Sequence, residues 1–105
     1  MKFTAGELFA KLPLPPDDKW KDGVWDVETF SKNGITLVFF APRGADYQTF
    51  HDKDEFYFII RGSGELVTGV SRLSFDLGDV LFVEAKKEHH FENFTDDFAT
   101  WAVFF

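Results

Sequence analysis

An all-β barrel or sandwich preceded by a single short helix is the fold this sequence predicts, on three observations. Strand-forming stretches fill residues 24–105 and are interrupted by turn residues at intervals of mostly eight to twelve positions, the spacing of short antiparallel strands rather than of alternating strands and helices. Asn33-Gly34 separates two apolar runs, and that dipeptide is a strong hairpin signal. Phenylalanine accounts for 15 of 105 residues; such side chains bury large apolar areas and suit pleated surfaces. A chain of this length is expected to form one domain with one core.

The helix comes first. Thr4-Ala5-Gly6-Glu7 has the spacing of a capping box, with Thr4 as N-cap and Glu7 at the third helical position. Leu8, Phe9 and Leu12 form a short apolar stripe that Pro13 ends, so one or two turns are predicted over about residues 5–12. Pro13-Leu14-Pro15-Pro16 then runs extended. Residues 1–23 are read as a helical and Pro-rich arm, attached to a β-domain of residues 24–105. The strands Val24–Ser31 and Ile35–Ala41 flank the Asn33-Gly34 turn. Later breaks at Pro42-Arg43-Gly44, Asp52–Asp54, Gly62-Ser63-Gly64, Gly69, Gly78-Asp79, Ala85–Lys87 and Thr95–Asp97 make eight to ten short strands in all. Leu37–Ala41, Phe56–Ile60 and Phe98–Phe105 are apolar at both parities. A solvated sheet face alternates with polar residues, so these strands need cover on both sides, from the N-terminal segment or from a second copy of the chain. A homodimer is expected.

The formal net charge of −7, from 18 acidic and 11 basic residues without a basic cluster, disfavours binding to nucleic acid or to anionic membranes. No apolar run approaches the roughly 20 residues of a membrane-spanning helix, and none marks the N-terminus as a secretion signal. With no cysteine in the chain, a cytoplasmic location is the expectation.

The chemistry-bearing residues gather in two places. His51 and Glu55 flank the polar bend Asp52-Lys53-Asp54, and His89 follows the turn Ala85–Lys87. Two imidazoles and one carboxylate with open positions suit iron, manganese, nickel, zinc or copper. Taken singly, each also has an ordinary reading: a rim histidine bonded to neighbouring acids, a solvated carboxylate opening a strand, a histidine capping a turn. His90 points away from His89 by strand alternation. Gly62-Ser63-Gly64-Glu65 is not a phosphate cradle, since a strand and not a helix follows it, and no serine has the context of a catalytic nucleophile.

Glu55 and Gly62, with His51 four residues earlier, resemble the first motif of the cupin superfamily, G-x5-H-x-H-x3-E-x6-G. Gly78, His89 and Asn93 resemble the second, G-x5-P-x-G-x2-H-x3-N. The resemblance spans roughly residues 35–105. Thr49 stands at the first histidine position, Gly44 is one residue out of register, and Glu84 and Lys86 replace the proline and glycine. The resemblance implies a double-stranded β-helix, or jelly-roll, barrel that holds a divalent metal (Fe, Mn, Ni or Zn) on His51, Glu55 and His89. Three protein ligands leave other positions for water or substrate. Asn93 is expected to fix a neighbouring turn by hydrogen bonds, and Gln48 to face the rim.

Around that centre Thr49, Tyr57, Phe91 and Trp101 are expected to bind a small organic molecule. Thr49 would hydrogen-bond a metal-bound water, and Tyr57 shares the face of Glu55 two residues on. The resemblance implies a metal-dependent enzyme of the dioxygenase, isomerase or decarboxylase kind. The alternatives are a non-catalytic module that binds or senses a small ligand, and a barrel whose site is vestigial.

Overall fold

A computed structural model describes residues 1–105. The chain forms one helix, α1 (Ala5–Phe9), and eight strands: β1 (Asp26–Lys32), β2 (Ile35–Phe40), β3 (Glu55–Arg61), β4 (Gly64–Thr68), β5 (Ser71–Phe75), β6 (Val80–Val83), β7 (His90–Glu92) and β8 (Ala99–Phe104). Five strands make one antiparallel sheet in the order β1-β2-β8-β3-β6, and three make a second in the order β5-β4-β7. Only β1–β2 and β4–β5 pair as sequence neighbours; β8 lies between β2 and β3, and β7 beside β4. The chain therefore crosses repeatedly between two facing sheets, as a jelly roll does.

Local chemistry sets the element ends. Thr4 caps α1 by accepting the Glu7 N–H at 3.3 Å. The α-helix stops at Phe9, earlier than the predicted residue 12, because Lys11 and Leu12 donate to the carbonyls three residues back. That tighter turn leads into Pro13, which cannot continue the helix. Asn33 and Gly34 have φ of 53° and 81°, the left-handed pair that a two-residue hairpin requires, and Lys32 pairs with Ile35 across it. β1 begins at Asp26 rather than Val24, because Val24 pairs with Leu14 in an isolated bridge. The bridge closes residues 14–24 into a loop beside the sheet.

The period of two along each strand sorts side chains onto two faces. Between the sheets lie Phe40, Tyr57, Ile59, Leu66, Phe75, Leu81, Val83, Phe91, Phe98 and Ala102. Phe91 is the hub, with ring centroids 4.9–6.1 Å from those of Phe40, Tyr57, Phe75 and Phe98. On the outer face of the five-stranded sheet Leu8 packs with Phe39, Ala41 and Ala99 in a second cluster, joined by Phe9, Ile60 and Trp101. The N-terminal segment thus supplies part of the cover that the two-sided strands need. It reaches one end of the face only; Phe58, Val80, Phe82 and Phe105 stay 40–54% exposed. No helix is long and apolar enough to cross a membrane.

Candidate metal centre

Backbone pairing assembles the centre. Glu55 opens β3 on its inner face, where it pairs with Val83 of β6 and Phe104 of β8. His51 sits in the loop before β3, and His89 immediately precedes β7. Two hydrogen bonds stitch these loops together: His89 N–H donates to the Thr49 carbonyl at 2.7 Å, and Lys86 N–H to the His51 carbonyl at 2.6 Å. Lys86 takes φ of 65° at this turn, so it holds the left-handed backbone that the motif assigns to glycine, against the Cβ penalty.

The donor atoms of His51, Glu55 and His89 lie within 4.8 Å of one another. His89 Nδ1 is 2.8 Å from the Lys87 carbonyl oxygen, which can only accept, so Nδ1 carries a proton and Nε2 faces the centre. Nε2 is 3.0 Å from the Tyr57 hydroxyl and 3.1 Å from Glu55 Oε1. The Glu55 contact lacks the geometry of a hydrogen bond, and Oε1 is buried without a hydrogen-bond partner. A buried carboxylate oxygen left bare is costly in a metal-free protein. Its natural partner is a cation.

Protonation follows from the surroundings. Burial, followed by the nearby His89 and Lys19 charges, holds the His51 imidazole below its ordinary range despite Glu55; a neutral ring is what a metal accepts. Burial also pulls His89 down, but contact with Glu55 and the Lys87 carbonyl outweighs it and the net direction is up. Burial and then the Glu55 charge push the Tyr57 phenol well above 10, so it remains a hydroxyl donor. Two imidazoles with available nitrogens and one bare carboxylate oxygen fit a divalent transition metal.

His51 and Glu55 line an open cleft of about 420 Å³, whereas His89 is buried and does not line it. His51, Glu55, Tyr57 and Gln48 line its base, Phe40 and Phe104 its apolar walls, while Lys19, Trp20, Asp26 and Glu28 stand around it. Trp20 is held there by its N–H bond to Asp17 at 2.6 Å and by edge-on contacts with Phe40 and Tyr47.

Of the four residues expected to bind substrate, Tyr57 alone lines this cleft. Thr49 is exposed, and contributes its carbonyl to the His89 bond instead of its hydroxyl to the cleft. Phe91 is 1% exposed and packs behind Tyr57 at 4.9 Å, as core. Trp101 has the wrong parity: Ala102 and Phe104 face the cleft, whereas Trp101 stacks edge-on against Phe39 at 5.1 Å on the outer face. His90 points away as expected, toward Glu92. Asn93 donates to Glu65 at 2.6 Å and takes a left-handed φ of 52°, a structural role.

Gln48 and Phe104 are the residues that sequence reasoning missed. Gln48, half-buried, lines the cleft; its Oε1 is 3.1 Å from His51 Nε2 and 3.3 Å from the Tyr57 hydroxyl, while its Nε2 donates to Asp46 Oδ2 at 2.6 Å. Asp46 is buried and also accepts the Gln48 and Phe91 N–H groups; burial raises its carboxyl pKa against those bonds. A buried-acid role is not legible in Asp46-Tyr47-Gln48, which reads as an ordinary loop. Phe104, 4.8 Å edge-on from His51, was legible only as core.

No curated protein matches the chain. Among solved structures, a cupin 2 conserved barrel domain protein from Salinispora arenicola superposes with a TM-score of 0.64 at 23% identity, over 76% of this chain and 73% of that one. A cupin-2 domain containing protein from Shewanella frigidimarina gives 0.70 at 12% identity, over 96% and 91%. KdgF from Halomonas gives 0.65 at 13%, over 75% and 76%. These likenesses concern the fold. The sequence profile of the cupin domain matches residues 36–105, the stretch that contributes β2 to β8 and all three donor residues, and this chain accordingly belongs to the cupin family.

Proposed function

We propose that this cupin binds a divalent transition metal on His51, Glu55 and His89 and presents it to a small organic molecule in the cleft. The carrying observation is Glu55 Oε1, buried without a hydrogen-bond partner and 3.1 Å from His89 Nε2. When bound, the metal would supply Lewis acidity, and with iron the activation of oxygen. The chain's own groups do the rest. Phe40 and Phe104 would exclude water from one side of the ligand, and the Tyr57 hydroxyl would donate a hydrogen bond to an oxygen of it. The reaction classes that the family resemblance suggests are dioxygenation, isomerisation and decarboxylation.

A second reading, a non-catalytic module that binds or senses the ligand, draws on the count of imidazoles. His51 and His89 serve as metal donors and His90 faces Glu92 outside the cleft, so no imidazole is left for proton transfer. Elemental analysis of the purified protein beside Glu55→Ala and His89→Ala tests the centre. Near-stoichiometric metal in the parent, lost in both folded variants, is the expected result. A parent that stays metal-free after titration with Fe(II), Mn(II), Ni(II) and Zn(II) sinks the proposal. Turnover against binding alone, measured on ligands found by thermal shift, separates the two readings.

The same reading takes the chain as a homodimer joined through the bare end of the outer face. Phe58, Val80, Phe82 and Phe105 expose apolar side chains there, a patch that a second copy would cover.

A further inference from the structure

The cupin motif brings four side chains to its metal, and the chain departs from it at Thr49, whose side chain is exposed and lies outside the cleft. The neighbouring Gln48 lines that cleft. We infer that Gln48, through Oε1, is the fourth protein ligand of the metal centre. This inference rests on the metal reading above and deepens it.

Three observations carry it. First, the orientation of the amide is determined by its partners. Gln48 Nε2 lies 2.6 Å from Asp46 Oδ2, and the Asp46 oxygens also receive the Phe91 N–H at 2.8 Å and the Gln48 N–H at 3.0 Å. A carboxylate surrounded by donors is an acceptor, so Gln48 must turn its NH2 toward it and its oxygen toward the centre. Second, that oxygen is within 3.1 Å of His51 Nε2 and 3.3 Å of the Tyr57 hydroxyl, which is itself 3.0 Å from His89 Nε2. Ligands about 2.1 Å from one metal at right angles stand about 3.0 Å apart. The Gln48–His51 and His89–Glu55 separations of 3.1 Å match that edge. Third, Asp46 is buried and holds Gln48 by both backbone and side chain, so the oxygen is placed by a rigid support.

In the metal-free protein the Gln48–His51 contact is a hydrogen bond from Nε2–H to Oε1. With metal present it becomes an edge of the coordination polyhedron. Exchanging an imidazole for a neutral amide oxygen would make the donor set harder, two nitrogens and two oxygens, and would favour Mn(II) or Fe(II) over Zn(II).

The test counts imidazoles. Co(II) is loaded into the full-length parent, Gln48→His and Thr49→His, and the hyperfine-shifted, exchangeable imidazole N–H resonances are counted by proton NMR. Two in the parent, three in Gln48→His and two in Thr49→His are expected. Two in a folded, metal-loaded Gln48→His, or three in Thr49→His, overturns the inference while leaving the three-residue centre intact. A parent that takes up no Co(II) overturns both. Should Gln48→His fail to fold, Gln48→Ala and Thr49→Ala replace it, with Mn(II) affinity as the readout. Weakening of at least about 10-fold in Gln48→Ala, with Thr49→Ala unchanged, is expected; parental affinity in Gln48→Ala overturns the inference.

Discussion

Replacing Glu55 by glutamine should strengthen the metal-free protein and reduce what the metal adds. Above the pKa of His89 the Tyr57 hydroxyl donates to the neutral Nε2, and Glu55 Oε1 faces a lone pair with no partner of its own. A buried polar atom in that position costs about 1–3 kcal/mol. A glutamine amide of the same shape removes the charge and donates a hydrogen bond to Nε2, releasing the Tyr57 hydroxyl to donate to Gln48 Oε1. For a domain of this length about 1 kcal/mol moves the melting temperature by about 4 °C, so Glu55→Gln should melt roughly 4–12 °C higher in chelator-treated samples at alkaline pH. The advantage shrinks on the acid side, and the sign follows from the raised pKa of His89. The His89–Glu55 pairing in the parent is fully present below the ordinary imidazole value near 6.5 and is lost as pH rises through the higher folded value. Metal acts the other way: at a hundred times its dissociation constant it adds about 2.7 kcal/mol to the parent and less to the variant, whose neutral amide oxygen is a weaker donor than a carboxylate. Differential scanning calorimetry of both proteins, with chelator and with Ni(II), reads each effect. A metal-free Glu55→Gln that melts below the parent at alkaline pH, or one that gains as much from Ni(II), would refute this account of the centre.

Other perturbations probe the frame. Phe91→Ala empties the hub of the aromatic core and should cost about 3–5 kcal/mol, measured as a fall in the urea midpoint; a loss under about 1 kcal/mol would contradict its packing. Gly62→Ala places a Cβ 2.9 Å from Phe98 Cα, and against Thr95 Oγ1, at φ of 73°, so a loss of about 2 kcal/mol or more is expected by the same assay. Phe82→Glu puts a charge in the bare outer patch and should turn a dimer into a monomer by light scattering, leaving metal content unchanged; a parent already monomeric at high concentration rules the dimer out.

The jelly roll was legible because its signals are local. Asn33-Gly34 specifies its own hairpin through left-handed φ values that few residues adopt without cost, and the period of two along β3 puts Tyr57 on the face of Glu55. His51, Glu55 and His89 were singled out together by the resemblance to the two cupin motifs, because local spacing alone does not bring His89 to the other two.

Where the sequence fell short, the missing information was long-range. Phe98–Phe105 is apolar at both parities, so nothing local says which face of β8 meets the cleft. Pairing of Trp101 with Phe39 and Phe58 settles it, sending Trp101 under the N-terminal segment and Phe104 toward His51. Thr49 and Gln48 are adjacent in an irregular loop with no period to rank them. Buried Asp46, anchored by the Phe91 N–H from 45 residues away, decides that Gln48 turns inward. Composition and turn spacing determine the barrel, because both act through neighbouring residues, and the resemblance to the cupin motifs points to His51, Glu55 and His89; which side chains surround these three depends on loops docking across the fold, and only the tertiary structure decides it.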